Sequence, residues 1–246
     1  MLDRFSAQAK LYARYRISYP PELYAWLLPQ VTARARAWDC ATDNGQVAAA
    51  LAGYFGRVAA TDISAAQLAE APALPNVDYQ ISRAENTPFA AGSFDLITVA
   101  QALHWLEPAA FHQEALRVLR PGGVLAEWGY KFCHSENPAL NEALNRFHNE
   151  TAGPYWDTNR QHIEEEYARI PFPFAGVQRA GFEVRRQWRV ADMLGYLRSW
   201  SAVANYARQH HGADLVASVA DELTGLWGPG EQTITFPVFG RLGVRE

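Results

Sequence analysis

The sequence predicts an α/β fold in which a doubly wound, mostly parallel sheet carries helices on both faces. Three observations point there. From residue 36 to residue 128 short apolar runs alternate with segments rich in Ala and Leu at helical spacing, the pattern of parallel βα units. Glycines and polar residues punctuate the switches, where turn chemistry is needed. After Tyr130 the alternation stops, and two late strand-like runs, 182–190 and 232–239, read as a hairpin-like addition to the sheet edge.

Taken in order, 36–40 (RAWDC) is a buried strand and 46–55 (QVAAALAGYF) a helix,. A second strand follows at 57–62 (RVAATD), then a helix at 64–71 with Ser64 as its N-cap,. Residues 77–82 and 94–100 are the third and fourth strands, 108–119 is a helix opened by Pro108, and Gly122-Gly123 turns the chain into a fifth strand at 124–128. The stretch 137–170 is polar and helical in pattern, with Glu164, Glu165 and Glu166 as a solvated helix face,. Helical character returns at 192–207 and 213–226. Seven strands result, the last of them antiparallel. With no Gly/Ser- or Pro-rich linker, a single domain is expected: residues 1–30 as an N-terminal lid, 31–130 as the core, 131–178 as a helical insertion or cap, and 179–246 completing the sheet.

Composition narrows the function classes. The 246 residues carry 22 Lys+Arg and 26 Asp+Glu, a net charge of −4 without a basic cluster, which argues against binding to nucleic acid phosphates. The longest run free of Asp, Glu, Lys and Arg is 44–56, short of the roughly 20 apolar residues that a membrane span needs. The opening MLDRFSAQAK lacks the apolar block of a secretory signal,. Cys40 and Cys133 are too few for a disulfide framework, so a reducing, cytoplasmic setting is expected. His210 and His211 are adjacent and His112, His148 and His162 scattered, a spacing that predicts no metal centre. Aromatic residues reach 13%, with 8 Trp, 11 Tyr and 12 Phe, enough to fill a core or line a pocket.

In open α/β sheets the ligand lies at the C-terminal strand ends, and the first βα loop is the usual nucleotide contact. Here that loop runs Asp39-Cys40-Ala41-Thr42-Asp43-Asn44-Gly45. It lacks the G-x-G-x-x-G of dinucleotide sites. Asp62, at the end of the second strand, can either accept both ribose hydroxyls of an adenosine or cap the helix that follows.

Four stretches together resemble the class I S-adenosylmethionine-dependent methyltransferases, in particular the small-molecule branch that includes trans-aconitate methyltransferase-like (type 11) proteins. They are FSAQAKLYARYRISYPPEL at 5–23, AWDCATDNGQVAAALA at 37–52 with VAATDIS at 58–64, AENTPFAAGSFDLITVAQALHWL at 84–106, and RVLRPGGVLAEWGY at 117–130. Later segments, GPYW at 153–156, PFPF at 171–174 and GYLRSWSA at 195–202, extend the resemblance over nearly the whole chain. It implies a Rossmann-like fold and S-adenosyl-L-methionine as cofactor. Asp39 to Gly45, Ala41 included, would wrap the methionine end, Asp62 the ribose, and Ile63, Ala84 and Glu85 the adenine. Gln101 and Ala102, with the residues up to Trp105, would lie beside the sulfonium, and Tyr12, Arg16 and Tyr19 would close from above.

The family loop reads D-x-G-x-G-x-G, and this chain places Ala41 and Asp43 at the first two glycines. The middle glycine allows positive φ or close approach of the cofactor, and Asp is among the better tolerated replacements at positive φ. A methyltransferase acting on a small carboxylate or hydroxyl compound is the reading that follows; the alternative is a weak or inactive descendant that binds a metabolite or partner. His104 is the candidate base for a hydroxyl acceptor, with packing as its competing role. Tyr15, Tyr19, Trp105, Trp128, Tyr130, Tyr155, Trp156 and Trp200 are expected to line the acceptor pocket of a monomer or homodimer that binds neither nucleic acid nor membrane.

Overall fold

The computed structural model describes residues 15–246. One sheet contains β1 (Arg36–Cys40), β2 (Arg57–Asp62), β3 (Val77–Ile81), β4 (Phe94–Ala100), β5 (Leu119–Tyr130), β6 (His134–Ser135), β7 (Ala175–Trp188) and β8 (Gln232–Val244). The seven expected strands are all present, and the two-residue β6 is the eighth. β3, β2, β1, β4 and β5 are parallel in that order. β7 pairs antiparallel along the length of β8, so β5 and β6 share the opposite edge of β8. The order reverses between β1 and β4, which is where an open α/β sheet opens a crevice.

The helices are α1 (Pro21–Leu27), α2 (Gln46–Ala52), α3 (Ala65–Leu68), α4 (Pro108–Val118), α5 (Pro138–Arg146), α6 (Gln161–Glu164), α7 (Val190–Arg198), α8 (Ser201–Gln209) and α9 (Ala217–Trp227). Period-two alternation along the strands sends side chains to two cores. Ala37, Leu96, Val124 and Trp128 face one, with α1, α2, α5, α7 and α9; Trp38, Ile97, Val99 and Leu125 face the other, with α4 and residues 163–174. In the second core Trp38 meets Phe89, Phe94 and Phe111 at ring separations of 5.6, 6.0 and 6.2 Å, and its indole N–H donates to Thr61 Oγ1 at 2.8 Å.

Several boundaries differ from the sequence reading, each for a visible reason. β5 starts at Leu119 and not at 124, because a register shift against Phe94–Leu96 absorbs residues 120–123. β8 runs past Gly240 to Val244. Its Gly243 is needed for space, since a Cβ there would lie 2.6 Å from that of Phe174. The expected helix at 192–207 is two helices broken at Trp200, whose backbone is extended (ψ 143°) while its ring is buried. The Glu164–Glu166 run is not a continuous helix face: α6 stops at Glu164, Glu166 and Tyr167 take positive φ, and the three carboxylates pair with Arg160, Arg169 and Lys131.

Candidate active site

The C-terminal ends of the five parallel strands open into a cavity of about 350 Å³, within the size range of small-molecule sites. Its walls come from the loop after β1, from Asp62–Ser64 after β2, from Ser82, Ala84 and Glu85 after β3, from Ala100–Ala102 and Trp105 after β4, and from Tyr130 at the end of β5. Arg16 and Tyr19 close one side, and Asp157–Asn159 of the insertion another.

In the first loop, Ala41, Asp43 and Gly45 have φ of 53°, 55° and 77°. All three positions that carry glycine in the D-x-G-x-G-x-G pattern thus keep the left-handed backbone, two of them without glycine. Left-handed backbone costs an L-residue about 1–2 kcal/mol, and surrounding bonds hold it. The Asp43 amide donates to Asp62 Oδ2 at 3.0 Å, the Thr42 amide to the Thr61 carbonyl at 2.9 Å, and the Thr42 hydroxyl to Asp39 Oδ2. Gly45 itself does not reach the cavity. It is fixed by β3, because a Cβ there would sit 2.7 Å from the Tyr79 hydroxyl.

Asp39 is almost completely buried and accepts from Thr98 Oγ1 at 2.8 Å as well as from Thr42. Burial pushes its pKa up to about 6, against the opposing hydrogen bonds, and the charge of Asp62 adds to the rise,. Asp62 takes the Ser64 amide on Oδ1 at 2.9 Å and the Asp43 amide on Oδ2. The capping and ligand-facing roles weighed for it are therefore compatible, since each carboxylate oxygen has a second lone pair. Carboxylates dominate the charge of the lining: Asp39, Asp43, Asp62, Glu85 and Asp157 stand against Arg16, the one cation among its described residues.

At the end of β4, Gln101 adopts φ 52°. Its side-chain Oε1 accepts the Tyr130 amide at 2.7 Å and its Nε2 donates to the Tyr130 carbonyl at 3.3 Å. The amide thereby extends the β4–β5 ladder and holds Tyr130, whose hydroxyl accepts from Arg16.

The expected residues Arg16, Tyr19, Asp39, Ala41, Asp62, Ile63, Ala84, Glu85, Gln101, Ala102, Trp105 and Tyr130 all line the cavity, and Tyr12 lies outside the described residues. The other expected aromatics do not line it. Trp128 is buried beneath the edge of Tyr19, 5.6 Å between centroids. Tyr15 packs on Gly195 of α7. Trp156 and Trp200 pack on each other and on His148, with the Arg160 guanidinium 4.2 Å from the Trp156 ring centre. Tyr155 packs on Tyr206 and His210. Trp128 and Trp200 belong to the core and Tyr15, Tyr155 and Trp156 pack half-buried against it, so of the eight aromatics expected in the pocket only Tyr19, Trp105 and Tyr130 line it.

His104 also stays out of the cavity wall. Its ring is buried beside Trp105 and Tyr167, and desolvation with the charges of Arg160 and Arg16 holds its pKa well below the usual imidazole value. Its backbone carbonyl accepts from Asn159 Nδ2 at 2.6 Å and ties the insertion to the loop after β4. Asn159 was not legible in the sequence because nothing local marks it. Gln67 is not among the residues expected from the sequence, although it completes a Ser64-x-x-Gln67 pattern. It is 2% exposed, lines the cavity, and its Oε1 has no hydrogen-bond partner. The acceptor-rich wall around Asp62 and this orphaned oxygen fit an adenosine, and the acidic lining fits a ligand that carries an ammonium and a sulfonium.

Known proteins resemble this chain in sequence and fold. The methyltransferase-domain family model matches residues 38–126. A protein named as a methyltransferase in Dictyostelium discoideum is 31% identical over 252 residues, 99% of this chain and 95% of its own. A solved structure described as a type II methyltransferase of Anaeromyxobacter dehalogenans superposes with a TM-score of 0.83 at 34% identity, covering 94% of this chain and 98% of that one. Phosphoethanolamine N-methyltransferase 2 of Haemonchus contortus, solved with S-adenosyl-L-methionine, shares the fold at 17% identity and a TM-score of 0.50, over 95% of this chain and 56% of that one. With the strand order, the crevice and the left-handed loop, these likenesses show that the chain belongs to the class I S-adenosylmethionine-dependent methyltransferase family.

Proposed function

We propose that the protein binds S-adenosyl-L-methionine and methylates a small molecule through an oxygen of a carboxylate or hydroxyl group. The observation that carries this reading is the crevice at the β1/β4 switch, where Asp62 and the left-handed backbone at three alternate loop positions, 41, 43 and 45, survive the loss of two glycines. When bound, the cofactor supplies an electrophilic methyl group. In this reading Asp62 holds the ribose, Ile63, Ala84 and Glu85 border the adenine, and Ala41 and Asp39 border the methionine end. Gln101, Tyr130 and Tyr19 position the acceptor, and Asp157–Asn159 keep water from it, so that orientation supplies most of the rate.

A carboxylate acceptor needs no base, and the seclusion of His104 favours that class. The whole chain would act as one unit, monomer or homodimer, in the cytoplasm, without nucleic acid or membrane. Among the described residues no helix is long and apolar enough to cross a membrane. Titration calorimetry with S-adenosylmethionine and S-adenosylhomocysteine tests the reading: saturable binding is expected, and no heat up to millimolar ligand overturns it. A metabolite screen for mass gains of one methyl group then identifies the acceptor.

A further inference from the structure

We infer that two copies of this chain pair through the outer edge of β7, antiparallel about a two-fold axis at Gly181, so that their sheets become continuous. Among the described residues β7 is hydrogen-bonded to β8 along one edge and to no strand along the other. Such an edge presents a row of backbone donors and acceptors to a further strand. One face of β7 is bare as well. Arg179, Gly181, Glu183, Arg185 and Gln187 are all exposed, whereas Phe182 on the other face packs against Trp26 of α1.

Glycine at 181 answers no need within the chain. It does not take positive φ, and an added Cβ would meet nothing nearer than the Val238 carbonyl at 3.9 Å, an ordinary contact. Glycine inside a strand weakens it and marks a place where another backbone comes close. A shallow groove follows this edge, and residues 179–183, centred on Gly181, form one side of it.

Charge selects the partner and the register. In an antiparallel pair, residues of the same face stand opposite one another. An axis at Gly181 sets Arg179 opposite Glu183 twice, once in each direction, and pairs the regular ladder from Gln178 to Val184 with its own copy. Axes at 182 and 183 would set Arg179 against Arg185 and Glu183 against itself. An axis at Val184 pairs Glu183 with Arg185 but sets Arg179 against Arg189. Like charges directly opposite are destabilising. Glu183 already meets Arg185 of its own strand at 2.9 Å, an exposed pair worth little in water, and its carboxylate has lone pairs left for a second guanidinium. A strand that is its own complement fits a second copy of the chain, joined by an isologous contact.

Sedimentation equilibrium of the full chain tests this, and wild type should be a reversible dimer. Arg179→Glu and Glu183→Arg each set like charges opposite one another at both pairs and should raise the dissociation constant about ten-fold or more. The double variant R179E/E183R restores both pairs and should recover most of the wild-type affinity. Both side chains are exposed, so the circular dichroism of the variants should match wild type. Should a reversal disturb folding, Arg179→Ala, Glu183→Ala and their double variant give the same coupling through a thermodynamic cycle. A monomer at every concentration overturns the inference. So does a dimer that either single reversal leaves intact, or one that the double reversal fails to restore.

Discussion

Two carboxylates of the same sheet, Asp39 on β1 and Glu127 on β5, are buried to nearly the same degree, at 1% and 0% exposure, and are treated in opposite ways. Glu127 has a fixed cation against it. Arg241 Nε of β8 donates to its Oε2 at 2.7 Å, and His112 of α4 lies 2.6 Å from its Oε1. The same guanidinium donates to the carbonyls of Tyr167 and Ile170 and lies 4.6 Å from the Phe172 ring centre. Asp39 meets only hydroxyls and a backbone amide, and its pKa rises to about 6. A carboxylate matched by a guanidinium inside the protein joins elements together. One left underneutralised beside a cavity keeps electrostatic attraction for a ligand.

The largest effect that would break this contrast is expected from Arg241→Met. It leaves Glu127 buried without its guanidinium, which costs about 3–5 kcal/mol, and thermal unfolding should fall by many degrees. A loss below about 1 kcal/mol would mean that the pair does not join β5, β8 and residues 167–170.

Asp39→Asn should come next, through pH. A carboxyl whose pKa rises on folding binds its proton more tightly in the native state, so stability falls as pH climbs from 3.8, the ordinary value, to about 6,. Two pKa units correspond to about 3 kcal/mol. Denaturant titrations at pH 4 and pH 7 should show that decline in wild type and lack it in the Asn variant; parallel profiles would remove Asp39 as the cause.

Thr98→Val deletes one of the two hydroxyl bonds and should cost about 1–2 kcal/mol at pH 7 while moving the wild-type pH transition upward. An unmoved transition would show that burial alone sets it. The smallest effect is expected from Asp43→Gly, which preserves the left-handed backbone and removes a charge. Affinity for S-adenosylmethionine should change less than about three-fold, under 1 kcal/mol. A large gain would instead favour a descendant that had lost its cofactor.

The same contrast explains what was legible in the sequence. β1, its loop and Asp62 could be read because local patterns encode them: a buried run, positions with glycine-like geometry, and a carboxylate at a strand end. Glu127 and Arg241 could not be paired, because they are 114 positions apart and meet only through the β5–β8 register. The aromatic cap misled for a related reason. Trp128 and Tyr130 point to one face of β5, yet Tyr130 reaches the cavity while Trp128, two residues deeper, is covered by Tyr19, and only the fold decides which ring is covered. The break at Trp200 has the same origin, since burial of the ring among Phe132, Phe147 and His148 overrides the helical spacing around it.

The position of β8 between β5 and β7 also constrains the order of folding. β7 precedes β8 in the chain but, among the described residues, finds its only strand partner in it. During synthesis, residues 175–188 must therefore wait about fifty residues, with both edges open, before any ladder can form. Long-range pairing of this kind slows folding, and a waiting strand is exposed to wrong partners. Arg179, Arg185 and Arg186, with Glu183, leave that strand charged, and charge on an unpaired strand disfavours wrong pairing. In pulse-labelled refolding, β7 amides should gain protection no earlier than those of β8.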